Sequence, residues 1–419
     1  MGLRQSLRWL RNPYHYLDEA MARHGLTFRA RLPVVGPCLF TGDPALVMQI
    51  EQDPALVGGR GTTALLPVVG KGSLIVLEGA RHEKHRRIFA PPFFAGRMDV
   101  EQGTREWTLR SVDRLRVGEQ TTAMALISGV TLNVIVEVVF GKLPEARHRR
   151  AVALIESWMR SFDAPLVLFV RALHLDLGPS SPWGRFRRNR EAVVRFVREE
   201  LAARAADPGP GLLGHALRRA AAGEALDEDE LVSECITFLL FGHDTTAAAM
   251  AWVLYHLGLH PEVREQLREE ARGAGPDLRP CRRARAVIDE SMRLTPVVVH
   301  LTRHADRATR VGPYAVRQNE RVLPSAYIAH RNPAVFEEPS RFLPERFLGG
   351  RDYRHAYFPF GLGARLCAGM PFALRQMEIM TSLLAAHIDY ELVDAAHIRP
   401  ARKMVLMVPS GGTRLRRTQ

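Results

Sequence analysis

The sequence predicts a mainly α-helical protein with a minor β region. Apolar residues recur every three or four positions over 101–117, 124–140, 186–206, 228–259 and 372–386, the period of buried helices. Alternating runs are few and short: "LTFRARL" (26–32), "PCLFTG" (37–42) and "TRVGPYAV" (309–316) read as strands of a small sheet. The longest helical stretch also carries its own start signal, Asp227 followed three residues later by Glu230, a capping box.

At the N-terminus, Leu3, Leu7 and Leu10 stand at helical spacing among Arg4, Arg8 and Arg11, and read as an ordinary leading helix rather than a membrane-surface one. The strands of 26–32 and 37–42 follow. Helices then dominate, punctuated by "DPGPG" at 207–211 and "GAGPDLRP" at 273–280. The helix opening at Asp227 runs to about Leu259, where His260-Pro261 stops it; at 1.5 Å per residue it spans about 45 Å, so its middle is expected inside the protein. The last helix opens near Pro371, a residue suited to a first turn.

An even apolar fraction of 46% along 419 residues shows no seam, so 1–419 is read as a single domain. Cys38, Cys235, Cys281 and Cys367 are far apart and form no CxxC pair, which argues against disulfides and for a reducing cytoplasm. Signal-peptide and transmembrane patterns are not seen, and no membrane anchor is expected. The net charge of +13 attracts acidic partners. Nucleic acid is not the expected one, because the basic residues are scattered and aromatics make up only 7%.

Chemistry concentrates in "FPFGLGARLCAGMPFALRQ". Phe360, Gly363, Arg365, Cys367 and Gly369 follow F-x-x-G-x-R-x-C-x-G, a loop running into a helix. Glycines permit positive φ, and a cysteine at a helix start meets free N–H groups that favour thiolate. Arg365 supplies a fork that suits a carboxylate. A buried thiolate implies a metal against the sulfur.

This loop resembles the proximal ligand loop of the cytochrome P-450 family of haem-thiolate monooxygenases, soluble bacterial type. The resemblance implies haem b (iron protoporphyrin IX), Cys367 as the iron ligand, and haem sandwiched between the long central helix and the cysteine loop. Four further matches occur in the family's order, from about residue 12 to 412. "VIDESMRLTP" places Glu290 and Arg293 on one helical face, and the family pairs them with the arginine of "FLPERF", here Arg346, as structural residues. "GARHEKHRRIFAPPFF" matches His82 and Arg86 to a haem carboxylate, with Lys84 and Arg87 facing a docking partner. Its His82 and His85 are one residue too close for a zinc H-E-x-x-H motif. "VVVHLTRHA" matches Arg303 to the same carboxylates, with His300 and His304 able to do similar work.

The fourth match is "LLFGHDTTAAAM" in the central helix, with Gly242, His243, Asp244 and Thr245 at the family's oxygen-handling segment. Glycine lets the helix open, the Thr245 hydroxyl competes for the carbonyl four residues back, and Asp244 relays protons. Phe241 departs from the resembled family, which most often carries Ala or Gly there. The resemblance also suggests a substrate pocket from 58–73, 155–175, Leu239, Phe241, Val297, Val299 and Met404. That lining is mostly apolar, which favours a lipophilic small molecule such as a fatty acid, terpenoid or polyketide. O2 and electrons from a separate ferredoxin and ferredoxin reductase are implied, since no flavin or nicotinamide fingerprint lies in the chain. A peroxide-driven oxygenase, a non-catalytic haem sensor and, more distantly, a zinc hydrolase are the competing readings.

Overall fold

A computed structural model describes residues 9, 12–32, 36–94, 101–161, 174, 176, 178, 180–275, 281–350, 352–353 and 356–419. Most of the suggested pocket segment 155–175 lies outside the described residues, as does 276–280 of one expected loop.

The helices longer than two turns are α1 (Pro13–His24), α2 (Pro44–Gln52), α3 (Gly79–Phe89), α4 (Glu101–Arg114), α5 (Ala123–Phe140), α6 (Glu145–Arg160), α7 (Pro182–Ala203), α8 (Gly211–Arg219), α9 (Glu228–Leu259), α10 (Pro261–Gly273), α11 (Arg282–Leu294) and α12 (Met370–His387). The strands are β1 (Thr27–Leu32), β2 (Gly36–Thr41), β3 (Leu56–Val57), β4 (Gln120–Thr122), β5 (Arg303–Ala305), β6 (Thr309–Val311), β7 (Tyr314–Val316), β8 (Arg321–Pro324), β9 (Tyr390–Leu392), β10 (Pro400–Lys403), β11 (Leu406–Pro409) and β12 (Arg414–Arg417).

The expected capping box is present: the Asp227 side chain accepts from Glu230 N–H at 2.7 Å, and Glu230 reaches back to Asp227 N–H at 3.2 Å. Two orphan donors are satisfied together, which starts the 32-residue α9 sharply. His260 ends it, and Pro261 opens α10. α9 is buried on nearly all sides, and α5 lies along it as its main partner. α5 is itself long and apolar enough to cross a membrane by composition, but two-thirds of it (67%) is buried in the fold, so it is a core helix.

Strands gather into a five-stranded sheet in the order β1-β2-β8-β5-β3. β1 alternates, with Phe28, Ala30 and Leu32 inward and Arg29 and Arg31 outward, so Phe28 faces Phe40 across the antiparallel pair. The run at 309–316 is not one strand of that sheet. It folds as its own hairpin, β6 on β7, because Gly312 takes a φ of 53° and Pro313 has no N–H to offer a ladder.

α9, α5, α12 and α11 share the largest apolar cluster. Phe238 of α9 packs at a tilt against Phe93, which packs on Phe372 at the start of α12. Further along, Thr381 of α12 reaches Met250 of α9. The polar segment 241–247 therefore lies between two attachments of the central helix to the helix that follows the cysteine loop.

Candidate active site

The cysteine loop is closed by one backbone bond, Cys367 N–H to the Phe360 carbonyl at 2.9 Å. Gly361 (φ 80°) and Gly363 (φ 61°) make the turns inside it, and a Cβ on Gly363 would come 2.9 Å from Glu51. Gly369 differs from expectation: its φ is −90°, so it is not needed for a left-handed turn. Nothing lies within 4 Å of where its Cβ would be, so it borders open space beside the sulfur.

Cys367 is exposed by area, yet burial among protein atoms is the leading cause that pushes its thiol up. The two observations describe one geometry, a sulfur on the floor of a deep hollow. Against burial work the Gly369 backbone N–H and the charge of Arg86, both favouring thiolate. The helix-start stabilisation expected for this cysteine is therefore present but smaller than desolvation.

Two arginines and a histidine stand on the sulfur side. His82 is pushed down to about 4, first by burial and then by Arg365, Arg86 and His85. Arg86 is lowered by burial, with only Cys367 opposing, and donates to the Leu366 carbonyl at 2.6 Å. Arg365 is lowered by burial, supported by Glu78 and opposed by Arg303 and Arg86. It also bonds the Leu74 carbonyl at 3.1 Å and the Leu77 carbonyl, which ties the cysteine loop to the 73–78 segment. Among the described residues no carboxylate pairs with His82 or Arg86.

Arg303 behaves otherwise than expected. Its guanidinium is buried and committed to the Glu51 carboxylate at 2.6 Å, because β5 faces the end of α2. Its histidine neighbours do other work. His300 is stacked on Phe40 and edges Trp9, burial pushing it down to about 3, and His304 points to Asn319. Lys84, expected to face a docking partner, donates to the Ala225 carbonyl at 2.6 Å. His85 turns away from His82 to pair with buried Glu234 at 2.6 Å.

Behind the loop, Glu290 and Arg293 are wholly buried. Arg293 donates Nε and Nη2 to Glu290 (2.7 and 2.9 Å), and its remaining bonds go to the carbonyls of His330, Pro339 and Arg341. Those five bonds use all five guanidinium N–H groups. Arg346 Nε donates to Glu290 at 3.1 Å, completing the expected triad.

On the facing helix, Thr245 Oγ1 donates to the Phe241 carbonyl at 2.6 Å, the four-back bond expected of it. Phe238, Phe241 and Thr245 share one stripe, and Phe241 and Thr245 keep part of their surface open while His243, Asp244 and Thr246 beside them are buried. Gly242 is reassigned. A Cβ there would lie 2.5 Å from Cδ1 of Ile135, so its smallness serves the close approach of α5 rather than a cofactor contact. His243 bonds Thr131 on α5 at 2.7 Å, and burial pushes it down to about 4. Asp244 is buried and paired with Lys403 of β10 at 2.7 Å.

Pocket candidates separate. Phe241 and Val297 are half-buried against the main cluster. Leu239 is buried in that cluster on another face of α9, and Val299 belongs to the cluster around Trp9, Tyr14 and Phe40. Neither presents surface to a ligand. Met404 is buried at the β10–β11 turn with φ 54°.

The sequence model of the cytochrome P450 family matches residues 5–415. The chain belongs to the cytochrome P450 family. Relatives include cytochrome P450 138 of Mycobacterium tuberculosis, 30% identical over 98% of this chain and 93% of its own length, and cytochrome P450 137 of the same organism, 29% identical over 94% and 83%. The fold superposes on a retinoic-acid-bound cyanobacterial P450 with a TM-score of 0.83 at 19% identity, covering 99% and 96% of the two chains. A six-coordinated P450 from Thermus thermophilus gives 0.74 at 24% identity, covering 97% and 98%.

This P450 is thus a monooxygenase whose cofactor is a haem-thiolate. Its residues fit that group: an accessible sulfur on the floor of a hollow, open space at Gly369, and cations in excess of carboxylates where two propionates would need partners. Sequence reasoning missed Glu51, Glu78, Glu234 and Lys403. Each is an ordinary charged residue with no motif around it, and only the fold shows its partner.

Proposed function

We propose that this P450 inserts one oxygen atom from O2 into a C–H or C=C bond of a lipophilic small molecule, with Cys367 holding haem b. When bound, the iron with its sulfur ligand supplies the oxygen chemistry. The chain's own residues do the rest. Arg86 and Arg365 bind the propionates through charge-assisted bonds, and neutral His82 donates a ring N–H beside them. Thr245, once its hydroxyl leaves the Phe241 carbonyl, orients water beside the iron, and Asp244 carries protons toward it. Phe241 narrows the ligand space above, which favours slender substrates such as fatty acids or isoprenoids over bulky ones. The retinoic acid bound to the cyanobacterial neighbour supports a lipophilic, elongated ligand.

The observation that carries this reading is the Thr245–Phe241 bond at 2.6 Å beside a buried acid, polar chemistry in the middle of an apolar helix. Thr245→Ala in the haem-loaded enzyme should lower product formed per electron and release peroxide instead. Unchanged coupling removes the role. An absorbance screen against fatty acids, terpenoids and polyketides, read by the spin-state change, identifies the substrate class. Electrons are assigned to a ferredoxin and its reductase, drawn by the net charge of +13 and by exposed Arg81 and Arg87 on α3. Ferredoxin affinity that does not fall with added salt contradicts that assignment.

A further inference from the structure

Asp244 poses a problem that its own helix does not solve. Its carboxylate is 5% exposed in a helix packed on nearly all sides, and a buried charge needs a partner. His243 beside it is not that partner, since burial pushes it down to about 4 and it is engaged with Thr131. The cation comes from a residue 159 positions away: Lys403 Nζ lies 2.7 Å from Asp244 Oδ1, with the lysine side chain 35% exposed. The pair therefore runs from the oxygen-handling segment to solvent.

Where Lys403 sits sharpens its meaning. β10 and β11 pair with Lys403 opposite Leu406, leaving Met404 and Val405 as a two-residue turn. Met404 holds φ 54° at the first central position, where such turns favour glycine, and its side chain is nonetheless buried. A non-glycine residue persists there only when its surroundings impose it. The ion pair is also not a simple source of stability, because well-packed apolar side chains stabilise a fold at least as well as a buried ion pair.

We propose that Lys403 is a positioning residue for proton delivery: its ammonium latches the Asp244 carboxylate to the strained Met404 turn, so that proton supply to Thr245 waits on movement of that turn. The inference rests on the assignment of Asp244 and Thr245 as the proton-handling pair. With the latch closed, the carboxylate points to the hairpin. With it open, the carboxylate takes a proton from solvent, turns toward Thr245, gives the proton to water held there and returns ionised.

The test uses haem-loaded enzyme with no added substrate, reduced through a plant-type ferredoxin and its reductase, following oxygen consumption in H2O and D2O. Lys403→Met should raise this idle turnover on the order of tenfold, below the roughly 10²–10⁴ that a positioned acid–base group commands because the group is freed and not created, and change its solvent isotope effect. Lys403→Arg should restore wild-type values. In an Asp244→Asn background, Lys403→Met should have no further effect. Independently of turnover, the infrared carboxylate band that Asp244→Asn removes should be replaced by a protonated-carboxyl band in Lys403→Met. Idle turnover equal to wild type in Lys403→Met, or an equal change in the Asp244→Asn background, overturns the latch. If Asp244→Asn by itself leaves coupled turnover unchanged, the proton-pair reading falls and the latch with it.

Discussion

Two groups of arginines flank the cysteine loop, and they are built on opposite principles. At Glu290, Arg293 and Arg346 the charges are answered from within: one carboxylate serves two guanidiniums, backbone carbonyls take the remaining N–H groups of Arg293, and Arg346 Nη2 is left buried without a partner. At His82, Arg86 and Arg365 one carboxylate, Glu78 at 3.1 Å from Arg365, faces two guanidiniums, and after burial those two charges help to keep the histidine between them neutral. Burial is complete at Glu290 and Arg293 and partial at Arg86 and Arg365. The difference teaches that a self-complementary charge cluster is architecture, whereas an uncompensated one is a binding surface for an anion the chain does not itself contain.

The largest effect that sharpens this contrast is expected at Glu290. Glu290→Ala strands two buried guanidiniums and should remove about 3–5 kcal/mol of stability, measured by chemical denaturation. Arg293→Lys should not rescue the cluster, because three donors on one point cannot meet five acceptors arranged around a plane. A Glu290→Ala protein as stable as wild type would break the comparison at its architectural end.

Cys367→Ser probes the other end. The fold should survive with a change within about 1 kcal/mol, since the side chain lines a hollow rather than the core. The loaded protein should lose the far-red-shifted Soret band of its reduced carbon monoxide complex. Arg86→Leu comes next: cofactor affinity should fall about tenfold for the loss of a charge-assisted bond, while the cofactor-free chain keeps its stability. Equal losses of stability and affinity would place Arg86 with the architectural set.

The dependence on acid probes both ends at once. His82 protonates near 4 in the folded chain and near 6.5 unfolded, so both states are neutral above pH 6.5. Between 6.5 and 4 only the unfolded state gains the proton, and stability falls as pH falls through that window. His243 adds to the same slope and, lowered to about 3, so do His256 and His300. Loading the dianionic cofactor should flatten only the His82 share. Denaturation at pH 7 and pH 5, with and without haem, and with His82→Gln as the control, measures it.

Much of this was legible before any coordinates. The capping box at Asp227, the four-back bond of Thr245 and the pairing of Glu290 with Arg293 are local, set by residues three or four apart on one helix. Less local readings fared unevenly. The run at 309–316 alternates as a strand should, yet Gly312 and Pro313 fold it into a separate hairpin. Leu239 and Val299 are apolar and near the right place in sequence, but a helix and a loop each have an inward face that composition does not name.

Residue chemistry and short spacing determined which groups this chain can bring to an oxygen-activating site: a sulfur before a helix, an acid beside a threonine, arginines at fixed offsets. Tertiary structure alone decided which of those charges are already spoken for. Arg303 is taken by Glu51, 252 positions away, Asp244 by Lys403, and Gly242 by the passing side chain of Ile135. The reason is physical: a helical neighbour is set by backbone geometry common to all helices, but the partner of a buried charge depends on which distant segment the whole fold packs against it.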